Sequence, residues 1–328
     1  MGIKNLNAFF KDNLPDLELK KEISKLRGKK IAIDGTLLMC KHLSFEIKVL
    51  LENLKNPIDD DLDEDDVVSS ILKKLLLRER NFIEKGFTTY WFFDGKSPEE
   101  KKSTQESRIK SRETMKTKFE NLEKEYLEMD EDDLDFSRDT KFKDLVELRS
   151  KTIKFNRKSI SEKLLAKMKE LGIAAGIARG EGEQHCASYC ACGFADYVFT
   201  TDTDVLAMGQ SIITSFDKNH VEVYDHEEII SGMMIDKDQF RDFCILLGCD
   251  FNKKLKRVNA FDTFCLISDH KKIENIPKAV AQKDLKFEEC RKLLDVYEIR
   301  EDEFLECDEN RKDNIEMFLF GRTFSKND

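Results

Sequence analysis

The 328-residue chain sets 56 Lys and Arg against 66 Asp and Glu, a formal net charge of −10, with 37% of its residues charged. Its supply of Leu, Ile, Val and Phe is ample for a buried core, which excludes whole-chain disorder. Four prolines and 14 glycines exclude fibrous and linker-dominated architectures, and no apolar run approaches the roughly 18 residues needed to span a bilayer.

The opening MGIKNLNAFF has no signal-peptide apolar region, and Leu6 stands where an N-myristoylation motif wants Ser or Thr. A soluble intracellular chain is expected. Residues 4–12 read as a short amphipathic helix. Lys30-Ile31-Ala32-Ile33-Asp34 followed by Gly35 reads as a buried strand leaving a sheet. Leu37–Leu54 and Val67–Lys85 have helical apolar spacing, and TTYWFF at 88–93 is a strong strand ending at Asp94-Gly95. From Pro98 to about Leu127 the pattern is helical and polar nearly all round, and a second long charged helix is predicted to run to Leu171. Short strands are expected at 173–178, 196–201, 211–216 and 221–224, with a small-residue helix at 181–192. Beyond Asp236 the chain turns helical. Strands alternating with helices predict an α/β fold with a mostly parallel central sheet flanked by helices. No 20–50-residue period recurs, which excludes a solenoid.

Acid is concentrated at 59–66 (DDDLDEDD) and 120–135, base at 96–118 and 141–169. The acidic runs read as solvated loops or insertions, and the rest of the chain is net positive, so the total charge does not exclude a nucleic-acid partner. Nine cysteines, an odd number without a secretory segment, read as reduced thiols. His185-Cys186 with Cys190 and Cys192 has a superficial zinc look, but the interleaved Ala and Ser suit a close-packed helix better.

The informative feature is where the acids fall. Three apolar strands end in Asp: IAIDG at Asp34, YWFFDG at Asp94, and YVFTTDTD at Asp202 and Asp204. In an open parallel sheet, ligands bind beyond the carboxyl ends of the strands. Glu181 and Glu183 open a helix near the same edge, and Asp250 follows the apolar run CILLGC. So many like charges in one cleft repel. Hard divalent cations with oxygen ligands relieve that repulsion, and two such ions about 4 Å apart support phosphodiester hydrolysis. A strand-end Asp by itself also reads as an ordinary helix cap; the repetition is what capping does not explain.

The blocks MGIKNL, IAIDG, YWFFDGKSPEEKK, RGEGEQHCA, TTDTDVLAMG and CILLGCDF, in this order over most of residues 1–275, resemble the flap endonucleases of the XPG-type structure-specific 5′ nuclease family. The resemblance implies a PIN-like nuclease core with a helical arch insertion and a helical C-terminal part. It divides the chain into nuclease blocks 1–112 and 141–250, which form one domain, an acidic arch insertion 113–140, and a helical DNA-binding region 251–328. It implies that Asp34, Asp94, Glu181, Glu183, Asp202, Asp204 and Asp250 hold two Mg2+ ions, with Mn2+ able to substitute. The first four lie toward the attacking water, and the last three favour the second ion. By the same resemblance Lys101 and Arg108, two helical turns apart, are the catalytic cations at the scissile phosphate. Gly2, Lys96, Lys102, Arg112, Lys253, Lys254, Lys256 and Arg257 are the expected DNA contacts. The helices spanning 98–171 would form the arch for a single strand.

Three departures stand out. LKRVNAFDTF after Asp250 lacks the glycines of the family's potassium-binding hairpin, Cys40 replaces a base-stacking aromatic, and FLFGRTFSKND carries no recognisable sliding-clamp motif. Together they suit a reduced member encoded by a virus or parasite. The implied reading is a metal-dependent DNA endonuclease acting at 5′ flaps or junctions in replication and repair. It would work in the nucleus (the host nucleus for a viral member), with the cytoplasm as the other compartment. A 5′-3′ exonuclease and a non-catalytic junction-binding protein remain open. A haloacid-dehalogenase-like phosphatase, suggested by IDGTLL, lacks the second Asp it needs, because position 36 is Thr36.

Overall fold

The computed structural model describes residues 2–54, 60–96, 102–129, 135–252, 254–255, 257–277 and 285–321, without the side chains of 102–108 and 135–137. In chain order the elements are α1 (Leu6–Asn13), β1 (Lys20–Glu22), β2 (Lys30–Asp34), α2 (Gly35–Glu52), α3 (Glu64–Glu84), β3 (Thr88–Phe93), α4 (Lys102–Leu127), α5 (Asp135–Thr152), α6 (Arg157–Glu170), β4 (Ala175–Ile177), α7 (Gly182–Ala191), β5 (Tyr197–Phe199), α8 (Asp204–Ala207), β6 (Ile212–Phe216), β7 (His220–Tyr224), α9 (His226–Met233), α10 (Lys237–Leu247), α11 (Ala260–His270), α12 (Phe287–Leu293) and α13 (Arg311–Phe320). They divide into two compact units, one holding Met1–Gly35, Arg80–Lys101 and Gly172–Lys312, the other Thr36–Glu79, Lys102–Leu171 and Asp313–Asp328.

The first unit holds the whole sheet, in the order β1-β7-β6-β5-β2-β3-β4. The pairs β6-β5, β5-β2, β2-β3 and β3-β4 are parallel, and β7 is antiparallel to both β6 and β1. The mostly parallel sheet expected from the strand–helix alternation is therefore present. The parallel strands are buried on both faces, which is why they read as continuous apolar runs: Ile31, Ala32, Ile33, Trp91, Phe92, Phe93, Val198 and Phe199 are all buried. β2 leads to β3 on one side, whereas β5 lies on its other side. The carboxyl ends of β2 and β5 thus flank the point where strand order reverses, the usual ligand crevice of such sheets. Aromatic packing fastens the helices: Phe9 lies 4.9 Å from Phe243, and Phe10 stacks on Phe240.

β1 went unanticipated. Lys-Lys-Glu has no strand pattern, and the segment is extended because it pairs with β7, Lys21 opposite Val221.

The second unit is helical. α2 buries Met39, Leu43, Ile47 and Leu51 at four-residue intervals, and α3 buries Val67, Ile71 and Leu75. Two expectations need correction here. The single charged helix running to Leu171 is two helices, because Asn156 accepts hydrogen bonds from the Lys158 and Ser159 amides and starts a new one. That helix, α6, also has a core face, Ile160, Leu164, Leu165 and Met168, so the polar character does not extend through 157–170. The acidic runs are not simply loops either. Glu64, Asp65 and Asp66 fill the first turn of α3, where the helix dipole favours them, and Glu120–Leu127 forms the end of α4. Lys163 joins Glu64 and Asp65 at 2.9 and 2.6 Å. α4 itself buries none of its described side chains at 109–127.

No helix among the described residues is long and apolar enough to cross a membrane.

Candidate functional site

Asp34 closes β2 and is buried, while Asp94 follows β3 directly and is exposed. The loop after β4 is pulled against the loop after β3 at Gly95, whose amide donates to the Gly180 carbonyl at 2.7 Å. A Cβ at Gly95 would stand 2.0 Å from the Ala178 carbonyl oxygen, so only glycine fits. That approach sets the start of α7 over the strand ends. The Gly182 amide donates to Asp94 Oδ1 at 2.7 Å. A Cβ at Gly182 would lie 3.1 Å from Asp94 Oδ1 and 3.5 Å from Asp34 Oδ1. Two acids from separate strands therefore meet at the first turn of one helix. Glu181 is its half-buried N-cap residue and Glu183 lies buried in its first turn, where the helix dipole favours negative charge. Burial, reinforced by the fields of Asp34, Asp94 and Glu183, pushes the Cys186 thiol far up. This thiol stays protonated and acts as packing, as the small-residue pattern implied.

The second group of acids sits at the ends of β5 and α10. Asp202 and Asp204 are 1% and 0% exposed. The Asp204 amide donates to Asp202 Oδ1 at 3.1 Å, and the Asp202 amide to Thr200 Oγ1 at the same distance. Asp250 is half-buried two residues past Gly248, in a tight turn closed by a Cys249–Asn252 bridge. The N-terminal segment spans these two places: the Ile3 amide donates to Thr203 Oγ1 at 2.8 Å and the Lys4 amide to the Gly248 carbonyl at 3.0 Å. Gly2 has a φ of +95°, and a Cβ there would lie 2.5 Å from Asp202 Oδ1, so glycine is required at position 2. Sequence reasoning placed Gly2 here but missed Thr203, which was legible inside TTDTD. It also missed the bonds made by the amides of Ile3 and Lys4, although both lie in the block MGIKNL.

The donor set fits a hard cation. It is all oxygen, four of the seven acids are buried, and Asp34 and Asp94 approach a common point beside the Gly182 amide. Among the described residues no three His, Cys, Asp or Glu side chains stand close enough to make a finished cage. Magnesium does not need one, since it takes one or two carboxylates and keeps its waters for substrate oxygens.

Of the expected cations, Lys96 is exposed just past Asp94. Lys102, Arg108 and Arg112 lie on α4, with Arg112 half-exposed and the side chains of the other two outside the described residues. Lys101, Lys253 and Lys256 also lie outside the described residues. Lys254 and Arg257 are exposed in the loop after Asp250, Arg257 with a φ of 63°. That loop ends where Asn259 caps α11 by accepting from the Asp262 amide.

The profile of the XPG N-terminal domain matches residues 1–115, and that of the XPG I-region matches 172–250, together more than half of the chain. Flap endonuclease 1 of Naegleria gruberi is 27% identical over 308 residues, covering 90% of this chain and 73% of the relative. Flap endonuclease 1 of Enterocytozoon bieneusi is 29% identical over 304 residues, covering 90% and 77%. In three dimensions the fold resembles flap endonuclease-1 from Methanococcus jannaschii, with a TM-score of 0.58 at 20% identity over 93% of this chain and 91% of that one. It also resembles human GEN1 in complex with Holliday junction DNA, with a TM-score of 0.59 at 17% identity over 98% and 74%.

Proposed function

Since the chain belongs to the XPG family of structure-specific nucleases, we propose that it hydrolyses DNA phosphodiesters at 5′ flaps or junctions using two divalent ions, Mg2+ or Mn2+. Asp34, Asp94, Glu181 and Glu183 would serve one ion, and Asp202, Asp204 and Asp250 the other, in part through the waters magnesium keeps. The observation that carries this reading is the meeting of Asp34 and Asp94 at Gly182, beside the two glutamates that open α7. When bound, the ions supply Lewis-acid activation of water and charge for the leaving oxygen.

The chain's own groups do the remaining work. The Gly182 amide fixes the rotation of the Asp94 carboxylate. Asp34, Glu183, Asp202 and Asp204 are withdrawn from water, where a charge acts more strongly than in solvent. The Asp204 amide donates to Asp202 Oδ1, and Gly2 packs close to the same oxygen. Lys101 and Arg108, by the motif match, orient the scissile phosphate, Lys as a point charge and Arg as a forked donor. Lys96, Lys102, Arg112, Lys253, Lys254, Lys256, Arg257 and the backbone at Gly2 contact the DNA backbone, so binding weakens steeply with salt. A DNA substrate is consistent with action in the nucleus, the host nucleus for a viral member, with the cytoplasm as the other compartment.

The test is cleavage of end-labelled 5′-flap, nicked and bubble DNA with Mg2+, Mn2+ or EDTA. Metal-dependent cutting at the base of a flap is expected. Stepwise release of single nucleotides from a nick would make the protein an exonuclease of the same family. Junction binding without cutting under any metal would overturn the enzymatic reading.

A further inference from the structure

Residues 287–308 lie outside the segments matched by the two XPG profiles and form a strap over elements that carry the acids. At its start Arg291 of α12 forks onto both oxygens of Asp242 in α10 and reaches Glu274, while Arg241 of α10 meets Asp295 at 2.6 Å. The strap then crosses α7. The Gln184 side-chain Nε2 donates to the carbonyls of Leu293 at 3.2 Å and Asp295 at 2.8 Å, and the Tyr297 backbone amide donates to Ser188 Oγ at 3.0 Å. The Tyr297 hydroxyl lies 2.8 Å from His185 Nδ1. Arg179 forks onto both oxygens of Glu303, donates to the Glu298 carbonyl at 2.6 Å and lies 4.6 Å over the Tyr297 ring. Farther on, the Asp308 amide donates to the Gly172 carbonyl at 3.0 Å.

The two grips on the start of α7 bracket the glutamates. Arg179 lies two residues before Glu181, and His185 two residues after Glu183. A polar tie of this kind is weak evidence for stability alone, because apolar packing does that as well or better. What directional bonds add is orientation. We propose that Tyr297 and Glu303 are positioning residues of the metal centre, fixing through His185 and Arg179 the rotation and height of the first turn of α7, and with it Glu181 and Glu183. This rests on the metal reading above. Groups that orient metal ligands without touching the metal typically change metal affinity 10–100-fold when removed.

The experiment is Mn2+ binding to the full chain without DNA, read from the electron paramagnetic resonance signal of the free ion. Tyr297→Phe and Glu303→Gln are expected to weaken binding about 10-fold, and Glu303→Asp to recover most of the loss. Ile229→Val, a mild change to a buried residue of α9, should bind as wild type does. If the Glu181→Gln/Glu183→Gln double variant binds Mn2+ normally, the metal reading itself falls. If that double variant loses affinity while Tyr297→Phe and Glu303→Gln keep it, the strap inference alone falls. An equal loss in Ile229→Val would likewise overturn the inference by reducing it to stability. Should Glu303→Gln fail to fold, Tyr297→Phe, which removes one oxygen atom, decides alone.

Discussion

α7 and α4 are opposite solutions to placing charge. α7 carries Glu183 inside a buried first turn, seven of its ten residues are buried, and polar ties hold its N-terminal half. α4 carries Arg112 and, by the motif match, Arg108, yet none of its described side chains is buried; its ties include an exposed pair between Lys141 and Glu125 at 3.1 Å. Acids meant for a cation must be fixed before the cation arrives, because their mutual repulsion would otherwise spread them. Cations meant for a phosphate can be ordered by the phosphate itself. On the proposed reading, burial and backbone bonds fix the acids, and the cations of α4 are left to their ligand.

The strongest way to break this contrast is Asp202→Asn, which keeps shape while removing charge from the most enclosed acid turn. Cleavage should fall by about 1,000-fold or more, with flap binding retained in a filter or anisotropy assay; near-normal turnover would end the metal assignment. Gly95→Ala forces a carbon to within 2.0 Å of the Ala178 oxygen. It should lower stability by about 3 kcal/mol in chemical denaturation, and a tolerated Ala would mean that the two loops need not touch. Arg108→Ala should reduce kcat by about 100-fold without moving the melting temperature, the reverse of the Gly95 result. Hydrogen exchange sharpens the comparison without mutation: amides of 109–127 should exchange at least about 100-fold faster than those of α10, because local opening exposes little apolar surface there, and flap DNA should slow them. The smallest effect concerns pH. Burial and Lys237 hold the imidazole of His226 below its ordinary value, against Glu227 and Asp225. Below about pH 6.5 the unfolded chain therefore takes up a proton that the native state resists, and stability falls with acid. His226→Phe should flatten that slope in melts between pH 7 and 5.

What was legible follows from how local each signal is. IAIDG, TTYWFFDG and YVFTTDTD were readable because strands buried on both faces must be apolar throughout, so an acid at their end marks the sheet edge. β1 was not readable, since Lys20-Lys21-Glu22 is extended only through pairing with β7. The break at Asn156 hid in a charged run where a capping residue looks like any other polar one. At the site, the seven acids were legible as strand and helix ends. The amides of Ile3 and Lys4 and the contacts of Tyr297 and Glu303 join residues far apart in the chain and leave no periodic trace.

All seven acids have been synthesised by the time translation reaches residue 250, whereas Tyr297 and Glu303 emerge later. The strap's contacts span sequence separations of 109 to 124 residues on α7 and its approach, between Gln184 and Leu293 and between Arg179 and Glu303. Closing loops of that length is slow compared with forming adjacent turns. A nascent chain thus displays the full set of acids for a time with nothing drawn across α7, and a ribosome halted between those points releases a protein that carries the acids without the strap.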